Sequence, residues 1–216
     1  MAMQPFGTHV LFRTFVVATA LLAGCSTLPQ PPREQARYDL GLAPAAAEPA
    51  AATLPPLTMA DVQISVMPEN STLMLYRLAY ANAQELRPYQ QARWAQPPSQ
   101  LVQQRLRLLL AGQRPLLASM DNVAAARTSS PALLKVDIED FSQIFDAEKS
   151  SRGVVQLRAT LIGRDAAGAT VLLGQKAFGV QVPAPSADAA GGARAIAMAT
   201  DQALQQLNGW LMAQGR

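Results

Sequence analysis

In Leu134-Lys-Val-Asp-Ile-Glu139 and again in Val155-Gln-Leu-Arg-Ala-Thr-Leu161, apolar and polar residues alternate strictly. Successive side chains of a strand point to opposite faces, so this alternation predicts two strands that each bury one face. Phe178-Gly-Val-Gln-Val182 repeats the pattern, and Asp165-Ala-Ala-Gly168 predicts the hairpin that joins the second strand to the third. These three strands form the predicted centre of the fold.

Two helices are predicted around these strands. The first has Ser99 as its N-cap and stops at Gly112, and the second covers Gly192–Ala213. Each carries apolar residues at helical spacing, which gives it one face to bury. These residues are Val102, Leu106 and Leu109 in the first helix, and Ile196, Ala203, Leu207 and Trp210 in the second.

Upstream, residues 62–66 alternate like a half-buried strand and residues 72–80 are apolar on both faces, as an interior strand would be. Residues 38–42 fit a short first strand. The predicted fold class is therefore α+β: a single domain with an antiparallel sheet of about four to five strands, backed by two helices.

The first 25 residues have the features of a secretion signal. Arg13 and His9 precede a short apolar run at residues 14–22, and Leu22-Ala-Gly-Cys25 follows directly. The run is well short of the ~20 residues that a membrane-spanning helix needs. Leu-Ala-Gly-Cys matches the bacterial lipobox, so we expect residues 1–24 to be a lipoprotein signal peptide and Cys25 to carry the acyl chains. An ordinary signal peptide with a chance cysteine is the alternative.

Signal removal takes away most catalytic chemistry. His9 is the only histidine and Cys25 the only cysteine, so the mature chain would contain neither an imidazole nor a free thiol. Triads that use His or Cys and zinc sites are thereby excluded. The formal net charge of +3 is too small to indicate nucleic-acid binding. We expect no enzyme activity, no metal and no cofactor.

Two segments have the composition of linkers. Residues 25–37 form the predicted lipidated tether, with prolines at 29, 31 and 32, and residues 43–56 are an Ala/Pro-rich linker. The remaining chain, residues 38–216, is the predicted folded domain, and the linker lies within it. Residue 26 is Ser rather than the Asp associated with retention in the inner membrane, so the outer membrane of a Gram-negative cell is the expected location.

The candidate partner-binding residues lie between the interior strand and the first helix. Arg87, Tyr89, Arg93 and Trp94 fall in a stretch that is predicted to be a loop. Tyr, Trp and Arg combine a large contact area with directional hydrogen bonding and are enriched at interface hot spots. The alternative is that Tyr89 and Trp94 pack beneath the loop and that Arg93 covers them.

Three other patterns favour structural roles. The acidic run from Asp137 to Glu148 would lie largely on the solvent face of a strand, and it does not converge on one point as calcium ligands must. Lys149-Ser-Ser151 lacks a recognisable oxyanion element. Gly191-Gly192 resembles a phosphate loop only weakly and fits better as a flexible entry to the second helix.

The sequence resembles the ABC-type transport auxiliary lipoproteins, a family that includes the lipoprotein of the paraquat-inducible intermembrane transport system. The resemblance spans nearly the whole mature chain in order and spacing. It rests on Cys25, Tyr38-Asp-Leu-Gly41, Leu75-Tyr-Arg77, Tyr89 with Arg93-Trp-Ala95, Pro98, Phe141-Ser-Gln-Ile-Phe145, Arg158-Ala-Thr160, Phe178 and Trp210-Leu211. The Ala/Pro linker looks longer than the corresponding connection in the family.

The resemblance implies a function in transport. A family member would be a periplasm-facing lipoprotein that works with an MCE (mammalian cell entry) protein, a permease and an ATPase to move phospholipid or other hydrophobic molecules between membranes. Some members are similar to ring-forming homo-oligomers. The ATPase would supply the energy, because this chain has no Gly-x-x-x-x-Gly-Lys loop. The alternative function is a lipoprotein scaffold or activator in cell-wall or outer-membrane assembly.

Overall fold

The computed structural model describes residues 34–43, 54–118 and 131–215, and the residues from Gln35 onward form one compact unit. The predicted signal peptide, Cys25, most of the predicted tether and most of the Ala/Pro linker lie outside the described residues. The first strand begins at Ala36, two residues inside the segment that the sequence assigned to the tether.

The described residues form one mixed sheet of nine strands. They are β1 (Ala36–Tyr38), β2 (Leu57–Met59), β3 (Gln63–Ile64), β4 (Leu73–Leu78), β5 (Ala83–Trp94), β6 (Leu116–Ala118), β7 (Ala132–Ala147), β8 (Ser150–Arg164) and β9 (Thr170–Pro183). The α+β single domain is confirmed, but the prediction of an antiparallel sheet with four to five strands is wrong. Several added strands have only two or three residues, too few to show a periodicity in sequence.

The long strand β7 organises the sheet. One of its edges pairs along almost its whole length with β8, which pairs in turn with β9, and both pairings are antiparallel. Its other edge takes β2, β3 and β4 in succession, all of them parallel to it. The sheet then extends from β4 to β5 and β1, and from β2 to β6. The hairpin predicted at residues 165–168 is confirmed, and Gly168 supplies its positive φ of 81°.

In the part of the chain that the structure describes, three helices accompany the sheet: α1 (Ala79–Asn82), α2 (Pro98–Ala111) and α3 (Ala189–Ala213). Two of them were predicted, and the four-residue α1 was not. Helix α2 is capped by Pro97 rather than by Ser99, because Pro98 already occupies its first turn. Helix α3 starts three residues earlier than predicted. Asp188 is its N-cap and accepts a hydrogen bond from the Gly191 amide.

The core lies between the sheet and the two long helices. The alternating residues Val155, Leu157, Ala159 and Leu161 of β8 are all fully buried, as their pattern predicted. Helix α3 approaches this strand so closely that a Cβ on Gly153 would come within 2.5 Å of the Ile196 amide nitrogen. Within the described parts of the chain, no helix is long and apolar enough to cross a membrane.

Candidate functional site

The four candidate contact residues all lie on β5. The sequence analysis expected a loop here, which is wrong: residues 83–94 form a strand that pairs antiparallel with β4 and, at its end, parallel with β1. In the β4–β5 register Arg87 lies opposite Tyr76 and Arg93 lies opposite Leu73, which are three residues, or about 10 Å, apart along β4, because a register shift takes up the extra residues of β5. The candidates therefore lie in different parts of one irregular strand.

Trp94 is a core residue. Its side chain has no exposed area, and its ring centroid lies 5.2 Å from that of Phe141 on β7. Its indole N–H has no hydrogen-bond partner among the described residues. Of the two interpretations that the sequence left open for Trp94, the geometry supports packing, because a fully buried ring offers no surface to a partner.

Arg93 is directed toward its own strand. Its Nη1 donates to the backbone oxygen of Tyr89 and, at 2.9 Å, to that of Ala92. The side chain is partly buried. In this position the guanidinium satisfies carbonyl groups of β5, so its donors are not all available to another molecule.

Arg87, in contrast, presents a fixed and accessible charge. Its Nη2 lies 2.5 Å from the Glu85 Oε2, and the two side chains are 39% and 46% exposed. The hydrogen bond between them lowers the pKa of Glu85 and raises the pKa of Arg87. Both groups are thus charged at neutral pH, and solvent reaches both.

Tyr89 belongs to an aromatic cluster with Tyr76 and Phe145. Its ring centroid is 4.6 Å from that of Tyr76, and the Tyr76 ring is 5.8 Å from Phe145 in an edge-on arrangement. The Tyr89 hydroxyl donates to Gln143 Oε1 at 2.9 Å, and burial raises the pKa of that hydroxyl. Tyr89 is therefore a neutral hydrogen-bond donor whose ring is half-buried.

Gln143 is fully buried and completes a polar chain into the protein. Its Nε2 donates to Ser151 Oγ at 2.8 Å, so both ends of the amide are used. Sequence reasoning did not single out Gln143, although it lies in the Phe141–Phe145 motif. The sequence did contain a signal: Gln143 shares the two-residue spacing of Phe141 and Phe145, so a polar side chain was expected on the buried face and would need hydrogen-bond partners there.

Gly191 and Gly192 lie in the first turn of α3 rather than in a flexible entry to it, and both serve close packing. A Cβ on Gly192 would come within 1.8 Å of Gln143 Oε1, and one on Gly191 within 2.1 Å of the Ser186 carbonyl oxygen. The adjacent Asp188 carboxylate accepts hydrogen bonds from the Gly191 amide and the Ser186 hydroxyl, which lower its pKa. A carboxylate in this position disfavours a bound phosphate.

The acidic run is spread over separate partners. Glu139 pairs with Arg158, Asp146 pairs with Arg152, and Asp140 accepts a hydrogen bond from Ser142. Among the residues that the structure covers, no group of three or more His, Cys, Asp or Glu side chains could hold a metal ion. Ser151 accepts from Gln143 rather than facing Lys149.

We name the exposed end of β4 and β5 the Tyr–Arg surface, and it consists of Tyr76, Tyr80, Glu85, Arg87 and Tyr89. Tyr76 lies directly opposite Arg87 in the β4–β5 register, and Tyr80 of α1 is 48% exposed. Aromatic rings beside an accessible Arg are the residue types enriched in protein interfaces. The sequence analysis did not select Tyr76 or Tyr80 as contact residues.

The family model that describes the ABC-type transport auxiliary lipoprotein component matches residues 38–208. The chain belongs to this family. The match runs from the last residue of β1 to most of α3, and the family is one of auxiliary transport components. No match to a curated protein sequence was found.

Solved structures support the fold of this auxiliary lipoprotein. A crystal structure of a Xanthomonas campestris protein of the DUF330 family superposes with a TM-score of 0.60 at 20% identity, covering 87% of this chain and 91% of that one. An uncharacterised protein gives a TM-score of 0.59 at 13% identity, covering 82% and 99%. At these identities the likeness establishes the architecture alone.

Proposed function

We propose that this auxiliary lipoprotein is a non-enzymatic component of an MCE-type ABC transport system that moves phospholipid or other hydrophobic molecules between membranes. Acylated Cys25 would hold it in the outer membrane with its folded domain in the periplasm. The observation that carries the proposal is the family match over residues 38–208. The lipobox at residues 22–25 supports the anchor.

The Tyr–Arg surface is the proposed contact with the MCE-domain protein. Arg87 offers donors that are paired with Glu85 yet accessible to solvent. Tyr76 lies opposite Arg87 in the register, and the Tyr76 ring packs against that of Tyr89. The Tyr89 hydroxyl donates a hydrogen bond to the buried Gln143, so the Tyr89 side chain is held in place before a partner binds. Arg93 contributes indirectly by holding the backbone of β5.

The partner experiment is co-purification after crosslinking in cells that express the MCE-domain protein, the permease and the ATPase of the same gene cluster. We expect the wild-type lipoprotein to recover the MCE-domain protein and Arg87→Ala to recover much less. Arg107→Ala is the matched control, because Arg107 is an exposed arginine on α2, outside the Tyr–Arg surface. If both variants recover equal amounts of the MCE-domain protein, Arg87 is not part of the interface.

The same experiment separates this function from the alternative one. Repeated failure to recover an MCE-domain protein, together with recovery of a peptidoglycan synthase, would favour a scaffold or activator of envelope assembly. Labelling with radioactive palmitate tests the anchor, and Cys25→Ala should abolish the label. An unchanged label in Cys25→Ala would contradict acylation at this residue.

A homo-oligomeric ring is part of the proposal. In the described residues β9 pairs only with β8, so fourteen residues of strand edge face outward and can accept another strand. Sedimentation equilibrium of the mature chain tests it. A monomer at all accessible concentrations would contradict the ring.

A further inference from the structure

Two exposed leucines border one groove beside the first strand. The side chains of Leu42 and Leu108 are 98% and 59% exposed. The groove has a volume of about 210 Å³, and Leu40, Leu101 and Leu108 line it together with Gly41 and Ala43, the neighbours of Leu42. Leu40 and Leu101 are each only 7% exposed and belong to the core, so we call the two exposed leucines, Leu42 and Leu108, the leucine face. Exposed apolar side chains beside one groove can form a binding surface.

The backbone that presents Leu42 is held by buried groups. Arg105 is 7% exposed and donates to the carbonyl oxygens of Leu40 and Gly41, while its Nε lies 3.2 Å from Asp201 Oδ1 on α3. The Asp39 carboxylate accepts the Gly41 amide at 2.7 Å, and Gly41 has a φ of +68°. The exposure of Leu42 thus follows from a fixed turn.

The composition of the groove favours lipid over protein as its occupant. None of the ten described residues that line it is aromatic, and six of them are leucine, alanine or glycine. The four polar or charged ones are Asp39, Gln96, Gln104 and Arg105, and the arginine is buried in the pair with Asp201. Protein interfaces are enriched in aromatic residues and accessible Arg, which in this molecule lie on the Tyr–Arg surface. A phospholipid surface accepts aliphatic side chains without directional pairing.

The chain connection brings a bilayer to this groove. Ten peptide units separate Cys25 from Gln35, where the compact unit begins, and they span at most about 36 Å. This step rests on the acylation of Cys25 in the proposed function. An anchor at that distance raises the local lipid concentration, so that a weak interfacial affinity is sufficient.

We propose that the leucine face docks on the phospholipid surface of the membrane that holds the anchor, with Leu42 and Leu108 at the boundary between headgroups and acyl chains. Tyr38 of β1 pairs with Trp94, which puts the leucine face at one end of β5. The Tyr–Arg surface lies further back along β5, around the position where Arg87 pairs with Tyr76. The leucine face and the proposed partner contact are therefore different surfaces.

The test uses the single cysteine as a synthetic anchor. The chain from residue 25 onward is coupled through Cys25 to maleimide-headgroup lipid in phosphatidylcholine vesicles, with and without brominated phosphatidylcholine as a quencher. Leu42→Trp and Leu108→Trp report contact with acyl chains. Leu172→Trp is the matched control, because Leu172 is 64% exposed on β9 and outside the groove. Wild-type protein supplies the baseline from Trp94 and Trp210.

Docking predicts that the introduced tryptophans at positions 42 and 108 lose emission in brominated vesicles, while the one at position 172 does not. Circular dichroism establishes that each variant is folded. No quenching at 42 and 108, or equal quenching at 172, overturns the proposal. The proposal is also overturned if the chain self-associates in the absence of vesicles and Leu108→Gln abolishes this self-association. The leucine face would then bind a second copy of the chain rather than lipid.

The outcome is separable from that of the proposed function. The synthetic anchor does not depend on acylation in cells, so a failed palmitate label with positive quenching refutes the lipoprotein anchor but not the affinity of the face for lipid. A positive label and recovered MCE partner with no quenching refute docking alone.

Discussion

At the residue scale, Trp94 and Arg93 differ although they are neighbours. We expect Trp94→Ala to lower the free energy of unfolding by about 3–5 kcal/mol, because it leaves a cavity against Phe141. Arg93→Ala should cost less than about 1 kcal/mol, since its hydrogen bonds run to its own strand and are partly exposed. Urea unfolding at neutral pH measures both values. Similar losses for the two variants would contradict the division between core and surface.

Trp94→Phe tests the energetic contribution of the indole N–H of Trp94. The smaller ring keeps much of the contact with Phe141 and removes a buried donor that has no partner among the described residues. We therefore expect it to cost clearly less than Trp94→Ala. A loss as large as that of the alanine variant would indicate that the N–H has a partner.

Asp188 makes a second residue-scale prediction, which depends on pH. Its pKa is lowered below its usual value near 3.8 by the Gly191 amide and the Ser186 hydroxyl. The charged form is thus favoured in the folded state, so its stabilisation is present above that usual value and is lost as the pH falls through the lowered pKa. We expect Asp188→Ala to cost about 1 kcal/mol at neutral pH.

Asp188→Asn is the control for charge. It keeps a side-chain oxygen at the N-cap of α3 but cannot titrate, so the acid-dependent part of the loss should vanish. Urea unfolding at pH 7 and at about pH 3 separates the contribution of the N-cap hydrogen bond from that of the carboxylate charge. If the free energy of unfolding changes between pH 7 and about pH 3 by the same amount in Asp188→Asn as in the wild type, the pH dependence comes from other carboxylates.

At the scale of elements, α3 contains two glycines with opposite expectations. Gly192→Ala places a methyl group where Gln143 Oε1 now lies and must displace its bonds to Tyr89 and Ser151, at a cost of about 1–3 kcal/mol. Gly209→Ala meets no atom within 4 Å and should stabilise by about 0.5–1 kcal/mol. Thermal unfolding compares the two. Stabilisation by both would refute the close contact with Gln143.

Strand β5 shows where local pattern misled the prediction. Its inward and outward positions do not alternate cleanly, it contains Pro88, and its register with β4 shifts between Leu73 and Leu75. β1 covers only Ala92–Trp94 of β5, so among the described strands the part around Pro88 pairs with β4 alone. A strand that is paired on one side tolerates proline and a bulge. Pairing with β4 therefore decides the conformation of residues 83–94.

At the scale of the whole molecule, Arg105 joins the first strand to both long helices. It lies on α2, pairs with Asp201 on α3 and donates to the carbonyl groups of Leu40 and Gly41. Burial raises the pKa of Asp201, and Arg105 opposes that shift. Removing the guanidinium leaves a carboxylate and two carbonyl oxygens without their donor.

We expect Arg105→Met to lower the free energy of unfolding by about 3 kcal/mol, the lower end for breaking a buried ion pair, because Asp201 keeps a quarter of its side chain exposed. Release of residues 38–41 should also speed tryptic cleavage after Arg37. Arg107→Met, an exposed neighbour on the same helix, serves as the control and should change neither. Unchanged cleavage in Arg105→Met would show that the first strand is held by other contacts.

The sequence by itself determined β7, β8 and β9, the two long helices and the hairpin at Asp165–Gly168. Alternation and helical spacing are local, and they are set by which face of one element is buried. Tertiary structure alone decided that β2, β3 and β4 share one edge of β7, that Trp94 lies in the core, and that Arg105 holds Leu40 and Gly41. These features depend on pairing between distant segments, whose register no single stretch of sequence encodes.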